Sequence, residues 1–341
     1  MSVTIKDIAE RAGVSFSTVS KALRNSPLVQ EKTKAKILAI AEEMGYRPNI
    51  AARSLVSKRS GVVGVVWPSV ERTTLSALIT LINAELEDSG YATLLSINRA
   101  DAAIETFRRF QVDAILLFSE KDEPLLGVPS PSGIPMLCYG NAVRSGFPSL
   151  DVNRQKAVRI AVRHLYELGH RDIAYIGRPE GGDPLQEEKA SAFLDELRRL
   201  GAREPAEKAV AAISGMEFHD GYVAAKELLK RRDRPTALFG GSYDLTRGMM
   251  RAAAESGIRV PEDVSIVGYD HIPQMDNLEV PVTSVGVDIA TIAATLARRL
   301  IAMIEETGAR GNGAAEGSAI LLEPELVVRT STAPPAAPAR R

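Results

Sequence analysis

A single cysteine, Cys138, stands in 341 residues, which excludes an intrachain disulfide and any thiol-rich metal cluster. Histidine is nearly as scarce: the four are scattered, without HExxH or a similar zinc spacing, so no metal site is expected. No apolar run reaches the ~18 residues of a membrane-spanning helix, and no membrane partner is expected. Lys6, Asp7, Glu10, Arg11 and Lys21 break up the first thirty residues, which leaves no apolar core for a secretory signal and makes the cytoplasm the expected compartment. Catalytic signatures are missing too. There is no Gly-x-Ser-x-Gly elbow, no phosphate loop and no Gly-x-Gly-x-x-Gly after a strand. The nearest glycine cluster, Gly240-Gly241-Ser242-Tyr243-Asp244, lacks the elbow spacing. Neither an enzyme nor a cofactor is expected.

What is present is ordinary in bulk: 45% hydrophobic and 25% charged residues, a soluble globular balance with length for two or three domains. The net charge of −1 hides an asymmetry. Residues 1–60 carry eleven Lys/Arg against five Asp/Glu, while the remaining 281 carry 31 against 38. A basic head on an acidic body suggests a polyanionic partner for the head.

Residues 4–44 read as three short helices: Thr4–Ala12 with Thr4 as N-cap, Phe16–Leu23 with Ser15 as cap, and Glu31–Met44 closed by Gly45. Residues 46–60 form a polar, basic connector. From residue 61 short apolar runs alternate with amphipathic helices. Strands are expected at Val62–Trp67, Ala92–Ile97, Ala114–Phe118, Pro135–Tyr139, Ile173–Ile176, Ala237–Phe239, Ser265–Tyr269 and Ile320–Val328. Helices are expected at Leu75–Ser89, Gln155–Leu168, Glu187–Leu200, Tyr222–Lys230, Thr246–Ser256 and Ile289–Ile304. Alternation of this kind implies doubly wound parallel sheets. Some 270 residues are long for one sheet, so two α/β lobes with a cleft are expected, ligands binding where strand C-termini face the crevice. The Pro- and Ala-rich tail, residues 332–341, is expected to be disordered.

The segment 4–23, TIKDIAERAGVSFSTVSKAL, has the grammar of a helix-turn-helix. Val19, Ala22 and Leu23 share one side of the second helix; Phe16, Ser17, Ser20, Lys21 and Arg24 share the other. Such a face suits a major groove, since Lys and Arg donate to guanine and Phe can touch a thymine methyl. A solvated face on a small helical cap is the alternative.

These residues resemble the lactose-repressor (LacI/GalR) family of transcriptional regulators. The likeness continues through Gly45-Tyr46-Arg47-Pro48-Asn49, Ala51-Ala52-Arg53-Ser54-Leu55, Leu168-Gly169-His170-Arg171, Val260 to Asp270, and Glu325-Leu326-Val327-Val328-Arg329, covering about residues 1–331. The resemblance implies a sequence-specific repressor, with a head at 1–45, a hinge at 46–60 and a periplasmic-binding-protein-like body at 61–331. Its N-lobe would comprise about 61–153 and 287–315, its C-lobe about 154–286 and 318–331. Phe16, Ser17 and Lys21 take base-reading positions, and Ser15, Thr18 and Ser20 take phosphate-holding ones. Thr4 and Arg24 join that surface; Arg24 and Gln30 stand where the family more often has Asn and Ser. In the hinge, Asn49, Ala52 and Leu55 belong to a segment that enters the minor groove, Leu55 as a wedge. A helix there is far below the ~12–15 residues that hold in water, so it should order only on DNA. A dimer on a pseudo-palindromic double-stranded operator follows, with no leucine heptad in the tail to build a tetramer.

The family holds a small effector between its lobes, but several positions have drifted. Ser69 to Leu75 replaces a polar-aromatic run, Asn153 replaces Asp, and Lys189 replaces an Arg that clamps sugar hydroxyls. Met216 replaces an aromatic, Ser242-Tyr243 replaces Asn-Asp, and His271 follows the retained Asp270. The stretch Asn98–Val112 is shorter than in the family, which implies a truncated helix. Together with Trp67 and Thr74, these are the candidate effector residues. One reading is a pocket retuned for an acidic or modified sugar in a regulator of carbohydrate uptake or catabolism. The other is a cleft that no longer binds a sugar and answers to a non-sugar ligand, a corepressor or none.

Overall fold

A computed structural model describes residues 3–23, 25–46, 59–97, 99–118, 133–140, 147–201, 209–310 and 319–336. They fall into two units, 1–60 and 61–341. In the first, α1 (Ile5–Ala12), α2 (Phe16–Leu23) and α3 (Glu31–Glu43) enclose one small core. Helix α1 starts where the Thr4 N–H and hydroxyl both donate to the Asp7 carboxylate, at 2.7 and 2.8 Å. The backbone bond from Thr4 holds that carboxyl below its usual range. Gly13 ends the helix at φ 69°, a left-handed turn that a side chain would resist. Ser15 Oγ then accepts from the Thr18 N–H at 3.1 Å and opens α2. Ile8, Val19 and Ile37 have no exposure, and Ala12, Ala22 and Ala41 pack beside them. At the head of α3, Gln30 makes no side-chain capping bond. Gln30→Ser is therefore expected to stabilise the head by about 0.5–1 kcal/mol, slowing amide hydrogen exchange in α3 about two- to fivefold. Unchanged exchange would show that the cap is supplied otherwise.

The second unit runs β1 (Val62–Val66), α4 (Thr73–Asp88), β2 (Ala92–Ser96), α5 (Ala100–Arg109), β3 (Ala114–Phe118), β4 (Met136–Tyr139) and β5 (Ser149–Val152). Then follow α6 (Arg154–Glu167), β6 (Ile173–Pro179), α7 (Pro184–Arg199), β7 (Val210–Ile213), α8 (Phe218–Leu229), β8 (Ala237–Gly240) and α9 (Tyr243–Glu255). It closes with β9 (Ser265–His271), β10 (Thr283–Asp288), α10 (Ile289–Arg310), β11 (Ala319–Leu322) and β12 (Glu325–Val327). Two six-stranded sheets result, ordered β11-β5-β4-β3-β1-β2 and β12-β10-β9-β8-β6-β7. Among the described residues every pairing is parallel except β10 with β12. The central strands of each sheet are covered on both faces. In β3, Ala114, Leu116 and Phe118 join one core and Ile115 and Leu117 the other; in β8, Ala237 and Phe239 part from Leu238 in the same way. Strands buried on two sides read as unbroken apolar runs, which is why they could be expected from sequence.

The chain passes between lobes after β5, after β10 and between β11 and β12. The last crossing corrects an expected boundary. Residues 318–331 do not all belong to the C-lobe, because Ala319–Leu322 pairs in parallel with β5 of the N-lobe. The single strand expected at Ile320–Val328 is two strands on different sheets, parted at 323–324. The tail also differs from expectation through residue 336. Ser331 Oγ donates to Ile266 O, and the imidazoles of His164 and His170 meet Thr332 Oγ1 and Ala333 O at 3.0 and 2.9 Å. Residues 337–341 lie outside the described residues. Helix α5 has ten residues.

Candidate functional site

Two surfaces concern function, one on each unit. On α2, Val19 and Ala22 are buried, while Phe16 is 53% exposed and Ser17 is exposed beside it. Ser20 and Lys21 are partly exposed on the same side. An aromatic ring, hydroxyls and an ammonium thus share one face of the helix. Ser15 and Thr18 are already bonded to each other, Oγ to Oγ1 at 2.8 Å, at the helix N-terminus, a place that favours anions. Thr4 caps α1 and is exposed. Arg24, Asn49, Ala52 and Leu55 lie outside the described residues.

In the body, the lobes meet at the N-terminus of α4. That helix has no acidic residue in its first turn, and its cap comes from the opposite lobe. The Thr73 N–H and hydroxyl donate to the two oxygens of Asp244, at 2.9 and 2.8 Å. Thr74 Oγ1 donates to Asp270 Oδ2 at 2.8 Å, and the Tyr243 N–H reaches the same oxygen at 3.0 Å. Asp244 and Asp270 both come from the C-lobe, so two carboxylates sit on the positive end of an N-lobe helix. Asp270 holds its place at φ 92°, a strained value for a residue with a side chain.

Beneath this junction lies a cavity of about 80 Å³, reached by Thr74, Lys189, Asp270 and His271 among the expected residues. Lys189 is buried; its Nζ donates to Gly241 O at 2.9 Å and stands 3.7 Å over the Tyr269 ring. Burial pushes its ammonium down to about 8, against the pull of Asp270. Burial likewise raises the Asp270 carboxyl, opposed by Lys189 and by the bonds from Tyr243 and Thr74. His271 Nδ1 stands 3.6 Å from Glu325 Oε1.

Four expected effector residues are placed elsewhere. Trp67 is 1% exposed and packs on Phe118, ring centroids 5.0 Å apart, inside the N-lobe core. Met216 belongs to the C-lobe core. Asn153 caps α6, accepting from the Lys156 N–H at 3.1 Å. Ser242 caps α9, accepting from the Leu245 N–H at 3.3 Å. None of the four lines the cavity, and Tyr243 reaches it only through its bond to Asp270. In each case a polar or large side chain near the crevice is consumed by helix capping or packing.

Sequence reasoning missed Arg154, whose guanidinium lines the cavity while paired to Asp151 at 2.5 Å, both side chains buried. It also missed Tyr269 and Gln186. Tyr269 stood in plain view within the run Val267-Gly268-Tyr269-Asp270, next to the aspartate that was chosen. Arg154 carried a weaker signal, a charge at the start of a helix whose first turn holds no acid.

A helical head that exposes an aromatic and cationic face, joined to a two-lobed body with a polar crevice, defines a ligand-responsive DNA-binding regulator. The comparisons agree. Residues 4–49 match the bacterial regulatory proteins of the lacI family, and residues 162–332 match a periplasmic binding protein-like domain. The chain belongs to the LacI family and is a transcriptional repressor with a ligand-binding body, not an enzyme. It is 34% identical over 283 residues to the HTH-type transcriptional repressor PurR of Photorhabdus laumondii, spanning 79% of this chain and 81% of that one. It is 28% identical over 336 residues to the probable HTH-type transcriptional repressor ExuR of Bacillus subtilis, 96% and 98% of the two chains. The Lac repressor dimer bound to operator and the anti-inducer ONPF superposes with a TM-score of 0.82, at 25% identity over 98% of this chain and 100% of that one. The regulator CelR in complex with cellobiose gives 0.67, at 27% identity over 96% and 99%. Repressors of this family bind operator DNA as dimers and respond to small-molecule effectors. Among the described residues no helix is long and apolar enough to cross a membrane.

Proposed function

We propose that this repressor reads a pseudo-palindromic operator through α2, with a sugar-like effector in the interlobe cleft setting its grip on DNA. The observation that carries the DNA half is the 53% exposure of Phe16 on a helix whose opposite face is sealed. Phe16, Ser17 and Lys21, joined by Arg24, take the base edges, while Thr4, Ser15, Thr18 and Ser20 hold phosphates. Residues 46–60 form the hinge, with Asn49, Ala52 and Leu55 at the minor groove. Thr74, Lys189, Asp270 and His271 meet the effector. The relatives' complexes with ONPF and cellobiose support a sugar-like ligand and a role in carbohydrate genes.

On a palindrome with a central CpG, Lys21→Ala is expected to weaken binding about 10- to 100-fold while leaving a scrambled duplex nearly unaffected. Fluorescence anisotropy of the full chain reads both. The wild-type affinity should fall steeply with salt, as phosphate contacts release counterions. Equal binding of the two proteins to palindrome and scramble would defeat the assignment of α2.

A cavity of about 80 Å³ is well below the ~300–1,000 Å³ of small-molecule sites. The lobes therefore have to part before a sugar enters, breaking the Thr73–Asp244 and Thr74–Asp270 bonds.

A further inference from the structure

The donors around the cavity outnumber what the protein gives them to bond. Lys189 is 5% exposed, and among the described residues its ammonium has one oxygen acceptor, Gly241 O, and no carboxylate in ion-pair contact. A buried ammonium has three N–H bonds to place, so two are left for the Tyr269 ring and for whatever fills the space. Tyr269 lines the cavity, and its buried hydroxyl has no partner among the described residues. Arg154 spends one nitrogen on Asp151, which leaves the rest of a five-donor fork. Against them stands one lining carboxylate, Asp270, already accepting from Thr74 and Tyr243. Among the described lining residues the idle atoms able to accept are Gln186 Oε1, His271 Nδ1 and the Tyr269 oxygen, none of them charged as a carboxylate is.

We propose that the effector of this cleft is an anion, a sugar acid or sugar phosphate, whose charged group is held by Lys189, Arg154 and the Tyr269 hydroxyl. The proposal rests on the reading that the cleft holds a small molecule, and it names that molecule's charge. Buried cations left short of acceptors are costly; an anionic oxygen supplies the missing acceptors and the opposite charge together. A neutral hydroxyl supplies the first alone. The apolar wall of Leu75, Leu78, Phe118 and Ile292 suits the carbon face of the same ligand.

Lys189 also marks the binding with a proton. The titratable and charged groups facing it are Tyr269, Asp270 and His271 from β9, Arg154 from α6, Arg72 before α4 and Asp183 at the head of α7. With its ammonium near 8 in the free protein, the side chain is mostly neutral at pH 9 and must regain its proton to pair with an anion. Affinity should then be flat from pH 7 to 7.5 and fall as pH rises past 8.

Full-length protein is titrated with gluconate, glucose 6-phosphate and glucose at matched ionic strength, reading thermal midpoint and calorimetric heat. The acid arms should raise the midpoint and glucose should not; comparison of gluconate with the phosphate separates carboxylate from phosphate ligands. At pH 9, in buffers of different ionisation heat, binding should take up about one proton, and about a tenth of that at pH 7. Lys189→Gln, whose amide can still donate to Gly241 O, is expected to lose at least tenfold in acid affinity and all of the proton uptake. Glucose binding as tightly as the acids, or acid binding without proton uptake and unaffected in Lys189→Gln, overturns the proposal and leaves the small-molecule cleft standing. Binding by none of the three overturns both.

Discussion

Asp151→Asn is expected to cost the body about 3–5 kcal/mol of stability at pH 7, the usual result of leaving half of a buried ion pair. The asparagine keeps the shape and removes only the charge. What remains is Arg154, 7% exposed, whose Nη1 loses a carboxylate oxygen at 2.5 Å. A buried lysine in this position could shed its proton; a guanidinium cannot. Burial works against the Arg154 charge, but Asp151 and then Tyr269 outweigh it and keep the group protonated above its ordinary range. Asp151 also accepts from the Val152 N–H at 2.7 Å, through the oxygen that does not face Arg154; an asparagine that keeps this bond turns its NH2 group toward the guanidinium. Urea unfolding of the full chain measures the loss. A change below about 1 kcal/mol would mean that Arg154 already has a second acceptor. If an anion belongs beside Arg154, its stabilising effect should be larger in this variant than in the wild type, since it replaces a missing charge.

Gly248→Ala is expected to cost about 3 kcal/mol, at the upper end of what a single added methyl does in a packed interior. Helices α8 and α9 touch backbone to backbone. A Cβ at Gly248 would sit 2.1 Å from Phe218 O and 2.6 Å from the Tyr222 nitrogen. Its counterpart at Gly221 would sit 2.2 Å from Leu245 O. No rotamer relieves contacts with backbone atoms, so one helix has to move. Asp244 lies one turn earlier on α9, so the shift should also disturb its bonds to Thr73 and weaken the junction between lobes. The checks are the urea midpoint and the protease sensitivity of the interlobe junction. A stability loss under about 1 kcal/mol would show that the two helices can separate without penalty.

The fold was largely legible because its strands are covered on both faces. β3, with every residue buried, could hardly be read otherwise. The strands that escaped have other textures. β5 carries Ser149 and Asp151, β10 opens with Thr283 and Ser284, and β7 is Val-Ala-Ala-Ile, four residues with no alternation. Each depends on neighbours in the sheet rather than on its own pattern. The tail misled for a related reason: Pro- and Ala-rich residues have no periodicity, yet Ser331 and Thr332 are held by hydrogen bonds to residues 48 to 168 positions away.

The cleft was half legible. Lys189 and Asp270 could be named from their positions, and both line the cavity. Trp67 and Met216 could not be told from core residues, because aromatic and large apolar side chains look alike in sequence whether they face a ligand or a neighbour. Asn153 and Ser242 are of the type that caps helices, and capping is what they do. The cross-lobe caps were out of reach altogether. Nothing in the run Arg72-Thr73-Thr74 announces that its donors are satisfied by residues some 170 and 196 positions on.

That arrangement has a kinetic consequence. On the reading proposed above, a sugar enters only once the junction has opened. Association measured by stopped flow should then approach a plateau as ligand concentration rises, set by the opening rate and not by diffusion. The tempo of any switch from bound to released operator would be written in three hydrogen bonds at one helix end.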